Sequence, residues 1–453
     1  MGKKSFRILS PCGILGYGFP DSSFENGLKM KPDAIVVDAG STDAGPHKLG
    51  AGVAIVSRLA AKKDLKRIIT GGKKLGIPVL IGSAGGSGGK VHVEWTMDII
   101  DEILREEGFE GTRTAIIWAD IPKEEIRKSM SKGEVIPLSP TVKPLEAEAL
   151  EETTSVVAQM GIEPIVQALS MGAELIVCGR AYDPAPFAAV GIFNGFDKAL
   201  SYHLGKVLEC GALCCNPGTT KDCMMGELYE DHFDVYPCDE KRKCSTLSVA
   251  AHTFYEKDHP YILHGPGIIQ DLSQCRFEQV AKNRVSVYGS HLIPSDGYWI
   301  KLEGARLTSY RTCVIAGVRD PIIISIIEEV EDLVRKSVAE QFSEINPALY
   351  DISFYNYGLN GVMGELEPLK DLPHEIGVLF QVVAKTQDIA SAICASLRST
   401  FMHYGYEGRK ATAGNLAFPF APSDIEFGKV FEFSVYHLMK VSDPTALFPI
   451  EMR

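Results

Sequence analysis

The stretch Ile77-Pro-Val-Leu-Ile-Gly-Ser-Ala-Gly-Gly-Ser-Gly-Gly89 joins a short apolar run to a loop of small residues. Such a run is typical of a strand buried on both faces, as in a parallel sheet. We assign the strand to Pro78–Gly82, and a helical pattern follows at Val93–Glu107. Strand, loop and helix in this order predict one βα unit of an α/β fold.

The same alternation recurs on both sides of this unit. Four further predicted strands are short apolar runs, at Phe6–Ser10, Ala34–Asp38, Thr114–Ala119 and Glu174–Cys178. Four further predicted helices separate them, at Asp64–Leu75, Glu124–Lys132, Leu145–Met160 and Ser201–Ala212. Residues 1–230 are therefore predicted to form an N-terminal α/β domain with a doubly wound, mostly parallel sheet. In such sheets, ligands bind beyond the carboxyl ends of the strands.

The rest of the chain has a different pattern. Residues 231–312 contain a polar loop at Cys238–Cys244 and β-rich segments at Arg284–Tyr288 and Tyr298–Glu303, so we predict a β-containing bridge. Residues 313–453 show strands and helices in the order β-α-β-β-α-β. That order predicts a ferredoxin-like C-terminal region. The predicted elements of this region are Tyr310–Ala316, a helix opened by Pro321, Asp351–Tyr357, Ile376–Lys385, Ile389–His403 and Val430–Tyr436.

The composition bounds the class of protein. Of 453 residues, 45% are hydrophobic and 23% are charged, which is typical of a globular chain. No apolar stretch approaches the roughly 18–20 residues of a membrane span, and the first residues do not resemble a signal peptide. We therefore expect a cytoplasmic protein without membrane contact. Its net charge of −12 argues against nucleic-acid binding, which needs clustered Lys and Arg.

Eleven cysteines in a chain of this length do not indicate a disulfide framework. The closest group in sequence is Cys210, Cys214, Cys215 and Cys223. It lacks two spaced C-x-x-C pairs, so reduced thiols are favoured over a zinc or iron–sulfur site. Cys12 follows the first strand, but the sequence shows no base partner that would make it a nucleophile.

The first candidate site is the segment Asp38-Ala-Gly-Ser-Thr-Asp-Ala-Gly-Pro46. Asp38 ends a predicted buried strand, and Ser41, Thr42 and Asp43 follow in a loop of small residues. Carboxylates beside hydroxyls and backbone amides can act as base, acid or metal ligand. The alternative is that Asp38 and Asp43 only bind turn amides. His47 follows closely and is a weaker candidate for a proton donor.

The second candidate is the glycine-rich loop Gly82–Gly89. Its small residues let a ligand approach the backbone, and the next helix offers free amides to an anion. The binding candidates in this loop are Ser83, Gly85, Gly86 and Ser87. The loop is neither a Walker A motif nor a Rossmann fingerprint, because Val91 occupies the position of the Ser/Thr or of the third glycine. ATP and NAD are therefore not expected, and a flexible structural turn is the alternative.

The third candidate is the pair Arg180 and Asp183, which follows the strand Glu174–Cys178. An arginine can bind a carboxylate or phosphate through two parallel hydrogen bonds. A salt bridge between Arg180 and Asp183 that braces the turn is equally consistent with the sequence. His203 and Glu209 are six residues apart on a predicted helix, so we interpret each as structural.

Several segments together resemble the acyclic terpene utilization (AtuA-type) family. The segments that carry the resemblance are LSPCGILGYGFP, VVDAGSTDAGP, IPVLIGSAGGSGG, MGIEPIVQAL, VCGRAYDPAPF, HLGKVLECGAL, SVAAHTFYEKDHPY, KLEGARL, AKTQDIASAICASLRST and ATAGNLAFPFAPSDI. The resemblance implies a role in the catabolism of branched acids or terpenoid acyl units. It also implies a large component that acts with a small ferredoxin-fold partner subunit, because some family members carry such an extension and this chain shows no further domain.

The leading hypothesis is a hydro-lyase, a hydratase or dehydratase that acts on a branched carboxylic acid or its coenzyme A thioester. Arg180 and the loop amides would hold the small anionic substrate, and Asp38, Asp43 or Asp183 would move a proton next to the carbonyl. The alternatives are an isomerase or racemase of a small carboxylic acid, or a non-catalytic ligand-binding large subunit of a two-protein complex. A divalent metal is compatible with the aspartates, but its ligands are unknown. We also expect a homo-oligomer.

Overall fold

The computed structural model describes residues 5–40, 45–255, 259–369, 371–410 and 413–453. The chain divides into two compact units, Met1–Arg306 with Phe433–Arg453, and Leu307–Glu432. This division differs from the three predicted segments. Residues 231–306 belong to the first unit. Three of their strands, at His232–Pro237, Arg276–Ala281 and Arg284–Tyr288, extend the sheet that begins at the N-terminus, and three others form a separate sheet.

The strands of the first unit are mostly short. They are β1 (Phe6–Ser10), β2 (Ala34–Asp38), β3 (Val79–Gly82), β4 (Thr114–Ile117), β5 (Val135–Pro137), β6 (Ser155–Ala158), β7 (Leu175–Cys178), β8 (Met224–Leu228), β9 (His232–Pro237), β10 (Ile262–Gly265), β11 (Ile268–Asp271), β12 (Arg276–Ala281), β13 (Arg284–Tyr288), β14 (His291–Ile293) and, after the second unit, β19 (Ile450–Met452). Two longer strands contribute residues to both units, β15 (Tyr298–Val318) and β18 (Asp424–Val441).

Ten α-helices are described in the first unit. They are α1 (Asp21–Lys29), α2 (Gly45–Ala51), α3 (Arg58–Leu75), α4 (Lys90–Glu107), α5 (Lys123–Ser131), α6 (Ala147–Glu152), α7 (Glu163–Ser170), α8 (Ala185–Phe193), α9 (Lys198–Leu208) and α10 (Thr246–Thr253). The amphipathic α3 shows how the sequence sets the bounds of a helix. The Ser57 hydroxyl accepts from the Ala60 amide at its start, and Gly76 ends it in the left-handed conformation.

The main sheet has a parallel centre with antiparallel flanks. Its described strands lie in the order β12-β13-β9-β8-β1-β2-β3-β7-β4-β19. The pairs from β1 to β4 are parallel, whereas β8 and β19 pair antiparallel with β1 and β4. One apolar cluster joins α3 and α4 to one face of the centre, and a second joins α7, α8 and α9 to the other. The predicted doubly wound, mostly parallel layer is therefore confirmed.

One predicted helix is wrong in part. The segment predicted as Leu145–Met160 holds a helix only at Ala147–Glu152, and Ser155–Ala158 forms β6. This strand pairs antiparallel with β15, with Ala158 opposite Leu302. A pairing across more than a hundred residues leaves no mark on local helical periodicity, so the sequence pattern did not reveal it.

The second unit has the ferredoxin-like topology that the sequence predicts. Its elements are the second part of β15, α11 (Pro321–Ser325), α12 (Ile327–Gln341), β16 (Tyr350–Tyr357), β17 (Ile376–Ala384), α13 (Gln387–His403) and the first part of β18. The strands lie in the order β16-β17-β15-β18, which is the order of a split βαβ sheet. Buried side chains of α12 and α13 form one apolar core with β15 and β17.

Among the described residues, no helix combines the length and the apolar character needed to cross a lipid bilayer.

Candidate active site

Three adjacent parallel strands place polar residues at one edge of the main sheet. Asp38 is the last residue of β2, and the strand register pairs it with Gly82, the last residue of β3. Ser83 follows β3 directly, and Arg180 lies two residues beyond the end of β7. Since β2, β3 and β7 are parallel neighbours, their carboxyl ends share an edge, which is where ligands bind in such sheets.

The Arg180 guanidinium is the centre of a buried hydrogen-bond network. It is 2% exposed, and its Nη1 donates to Ser83 Oγ at 3.0 Å, to the Ala181 carbonyl at 3.1 Å and to Asp183 Oδ1 at 2.9 Å. Its Nε and Nη2 donate to the two oxygens of Glu303 at 3.0 and 3.5 Å. Arg180 therefore forms a salt bridge with Asp183, one of the two arrangements that the sequence left open, and most of its donors are engaged by protein groups.

Glu303 carries the balancing negative charge. This residue of β15 also accepts hydrogen bonds from Gln159 at 3.2 Å and pairs with Lys301 at 2.9 Å. Burial alone raises a carboxyl pKa, but the charges of Arg180 and Lys301 outweigh it and lower the pKa of Glu303 to about 2. Glu303 is thus a carboxylate throughout the physiological range.

The pKa of Asp38 is shifted in the opposite direction, upward. Its carboxyl is buried, and none of the described residues forms a hydrogen bond with Oδ1. Burial raises the pKa of Asp38 well above its usual range, and the negative charge of Asp183 raises it further, against the opposing effects of Arg180 and the Gly40 amide. Asp183 is more accessible, with 37% of its side chain exposed. The site therefore combines a buried carboxyl group whose charged form is disfavoured with a second carboxyl group that reaches solvent.

A second buried ion pair contributes to the same electrostatic environment. Lys206 near the end of α9 pairs with Glu209 directly after it. Burial lowers the pKa of Lys206, but the Glu209 charge outweighs this effect, so the net shift is upward. The charge of Glu209 also contributes to the raised pKa values of Asp38 and Tyr182, each of which is dominated by burial. The ion pair at the end of α9 therefore acts electrostatically on the residues at the strand ends. We call Asp38, Ser83, Arg180, Asp183 and Glu303, together with this ion pair, the strand-end site.

The glycine-rich loop is closely packed against the rest of the site. The amides of Gly86 and Gly88 donate to the carbonyls of Ser83 and Ala84, at 2.9 and 3.1 Å. A Cβ added to Gly88 would lie 2.1 Å from the backbone nitrogen of Arg180. The φ of Gly88, +64°, also favours glycine at this position. Ser83 and Gly85 are buried in the packed part of the loop, whereas Ser87 is half-buried.

Several predicted site residues lie elsewhere or outside the described part of the chain. Ser41, Thr42 and Asp43 lie outside the described residues. His47 is exposed on α2. Cys12 is buried, and burial raises the pKa of its thiol well above the usual range, which disfavours the thiolate that a nucleophile needs.

Sequence reasoning missed three charged groups of this site: Lys206, Glu209 and Glu303. Glu303 was placed only at the end of the predicted β-rich segment Tyr298–Glu303, and Glu209 was interpreted as structural. A signal for the α9 pair was present, because Lys206 and Glu209 are three residues apart at the C-terminal end of the helix. No local signal links Glu303 to Arg180, which lies 123 residues away in sequence.

Fold and site together define a class: an α/β protein with paired acids at the carboxyl ends of parallel strands, followed by a ferredoxin-like unit. Its family is identified by comparison with known proteins. The model of the family described as acyclic terpene utilisation family protein AtuA matches residues 64–231 and 237–425. These segments cover most of the chain, and the protein belongs to this family.

The family description refers to the utilisation of acyclic terpenes, which implies a catabolic, enzyme-related role. Ser83, Arg180, Asp183 and Glu303 lie within the matched segments, whereas Asp38 precedes them. Comparison with curated proteins and with solved structures yields no significant match.

Proposed function

We propose that the protein is a hydro-lyase that adds water to, or removes it from, a branched carboxylic acid or its coenzyme A thioester. The observation that carries this proposal is the contrast between Asp38, whose pKa is raised by burial, and the accessible Asp183. Two acids whose surroundings differ in this way supply a proton donor and a proton acceptor in one site. Family membership supports a substrate from terpene catabolism.

The reaction divides between the two carboxyl groups. In the eliminating direction, the Asp183 carboxylate removes the proton from the carbon next to the carbonyl. The bond electrons form the double bond, and the hydroxyl on the next carbon leaves as water with the proton of Asp38. Asp183 then returns its proton to solvent, and Asp38 regains one. Addition of water reverses these steps.

Arg180 has a positioning role in this mechanism. Its donors already bind Ser83, Asp183 and Glu303, so it fixes the Asp183 carboxylate rather than gripping the substrate directly. We assign the substrate's anionic group to the side of the glycine-rich loop where Ser87 is half-buried. A divalent metal and the small ferredoxin-fold partner remain predictions, and neither NAD nor ATP has a role in this mechanism.

Proton exchange at the reacting carbon tests the proposal. The wild-type chain is incubated in D₂O with branched free acids and with the matching thioesters, and deuterium incorporation and unsaturated products are followed by NMR. Asp183→Asn removes the base, so exchange and turnover should both fall by about 10²-fold or more. Asp38→Asn should reduce formation of unsaturated product to a similar extent, because the leaving hydroxyl loses its acid.

Asp98→Asn, at an exposed position of α4, is the matched control and should behave like the wild type. Exchange with an isomeric product and no unsaturated product would instead identify the isomerase or racemase. Turnover that survives both site substitutions would leave the chain as a non-catalytic large subunit, and the small partner would then be co-expressed and assayed.

A further inference from the structure

Three cysteines that are separated in sequence meet in the first unit. Cys214 and Cys215 follow the end of α9, and Cys244 directly precedes the residue that caps α10. One ligand atom from each of these three residues lies within 4.8 Å of the others, and all three residues are buried. The group differs from the one suggested by sequence proximity, because Cys244 takes the place of Cys210 and Cys223.

The backbone holds the two segments in register. Asn216 and Lys243 form an antiparallel bridge, with amide-to-carbonyl distances of 2.8 and 3.2 Å. Cys215 and Cys244 are the next residues outward, and therefore lie opposite each other. The Cys244 carbonyl also accepts a hydrogen bond from Gln279 at 3.1 Å, which ties this segment to β12. Backbone hydrogen bonds and the contact with Gln279 therefore hold the two cysteine-bearing segments next to each other.

The sulfur distances fit a metal-centred arrangement. Cys215 Sγ lies 3.6 Å from Cys244 Sγ and 3.3 Å from the thioether sulfur of Met224. With Zn–S bonds of about 2.3 Å, sulfurs at two corners of a tetrahedron are about 3.8 Å apart. A disulfide would require a separation of about 2.05 Å. The observed spacing is therefore near that of two thiolates bound to one ion.

We propose that Cys214, Cys215 and Cys244 form a binding site for a thiophilic metal ion, with Zn²⁺ as the expected ion. Three thiols and a thioether are soft donors, which select against Mg²⁺ and Ca²⁺. Metal binding requires thiolates.

The bound ion would have a structural role. It would join the turn after α9 to the start of α10, two segments that the bridge between Asn216 and Lys243 and the hydrogen bond from Arg242 to the Pro217 carbonyl already connect. The end of α9 carries Lys206 and Glu209 of the strand-end site. The ion would therefore stabilise one wall of that site, and this inference does not depend on the proposed hydro-lyase reaction.

Zinc content of the full-length chain tests the inference. The protein is purified under reducing conditions, equilibrated with Zn²⁺ alone and freed of excess ion before elemental analysis. The wild type should retain about one zinc per chain. Cys215→Ser and Cys244→Ser should each lower the affinity by about tenfold or more. Cys313→Ser and Cys394→Ser alter buried cysteines of the other unit and should retain the ion.

A spectroscopic measurement covers the case in which the serine variants fail to fold. The wild type loaded with Co²⁺ should show an intense thiolate-to-cobalt charge-transfer absorption, which Zn²⁺ abolishes by displacement. A wild type without stoichiometric zinc, a Cys244→Ser variant that binds like the wild type, or a cobalt spectrum without the thiolate band would overturn the inference. An intact mass that shows a Cys215–Cys244 disulfide after reducing purification would do the same.

Discussion

Asp38 and Glu303 show that burial by itself does not decide whether a carboxyl group is charged. Burial disfavours the charged form of both residues. Asp38 also faces the negative charge of Asp183, so its pKa rises, whereas Arg180 and Lys301 lower the pKa of Glu303 to about 2. The same type of side chain is therefore disfavoured as a charged group at Asp38 and held as a charged group at Glu303.

The buried pair of Arg180 and Glu303 leads to a stability prediction. Glu303→Gln leaves the Arg180 guanidinium buried without its main counter-charge, which should lower the free energy of unfolding by about 3–5 kcal/mol near neutral pH. Urea unfolding of the full chain measures this change. Glu278→Gln, at an exposed position of β12, is the control and should shift the unfolding free energy by less than about 0.5 kcal/mol.

The effect of Glu303→Gln should also depend on pH. The folded-state pKa of Glu303 is about 2, below the unfolded reference of 4.5. Its stabilising contribution is therefore complete above pH 4.5 and is lost as the pH falls towards 2. The difference in unfolding free energy between the wild type and Glu303→Gln should therefore become smaller as the pH falls from 4.5 towards 2. A difference that stays constant down to about pH 3 would contradict the ionic explanation.

At the scale of elements, the glycine-rich loop connects β3 and α4 while its backbone packs against the segment after β7. The Arg180 amide donates to the Gly88 carbonyl at 3.1 Å, and the Ala84 amide donates to the Cys178 carbonyl at 2.9 Å. These contacts hold Arg180 and Ser83 at the same edge. The loop is therefore a packed part of the site's framework as well as a candidate binding element.

Gly88→Ala should disrupt this framework. An alanine there has both an unfavourable positive φ and a Cβ that meets the Arg180 backbone at 2.1 Å. Gly108→Ala at the end of α4 is the matched control, because its φ is +72° but no atom lies within 4 Å of the added Cβ. The control should lose about 1–2 kcal/mol of stability from backbone strain. Gly88→Ala should lose roughly a further 1–3 kcal/mol from overpacking.

Equal losses of stability in Gly88→Ala and Gly108→Ala would show that the contact between the added Cβ and the Arg180 backbone does not destabilise the fold. Thermal and urea unfolding distinguish the two outcomes. Deuterium exchange at the substrate carbon provides a second readout, since displacement of Arg180 should also misplace Asp183 in the proposed mechanism.

At the scale of the whole molecule, all described members of the strand-end site lie in the first unit. The second unit has its own apolar core, in which Phe354, Phe380 and Phe401 contact one another with centroid distances of 5.7–6.1 Å. A ligand that binds at the strand ends is therefore expected to stabilise the first unit through contacts within that unit.

A thermal-shift screen of the full chain examines this expectation. A ligand that binds only the folded state adds about 2.7 kcal/mol of stability at a hundredfold excess over its Kd. Branched free acids or their thioesters should raise the unfolding temperature, and the shift should be smaller in Asp183→Asn than in Asp98→Asn. A selective shift with thioesters points to acyl-thioester chemistry. Equal shifts in the two variants would contradict substrate binding beside Asp183.

The elements that the sequence predicted well are those with a strong local pattern. The parallel strands are short apolar runs, and the ferredoxin-like order follows from well-separated strands and helices in the second unit. Long-range pairing explains the failures. β6 lies inside a predicted helix because its partner, β15, begins about 140 residues later. The strands β8 and β9 were missed, although they extend the main sheet beside β1.

The sequence by itself determined the alternating α/β pattern and the polar residues that follow the parallel strands, because the carboxyl ends of such strands share one edge. Asp38, Ser83, Arg180 and Asp183 were identified on that ground. Only the tertiary structure decided that Glu303 neutralises Arg180 and that Cys244 joins Cys214 and Cys215. Burial and charge depend on neighbours that lie far away in sequence, and they shift the pKa values of Asp38 and Glu303 in opposite directions.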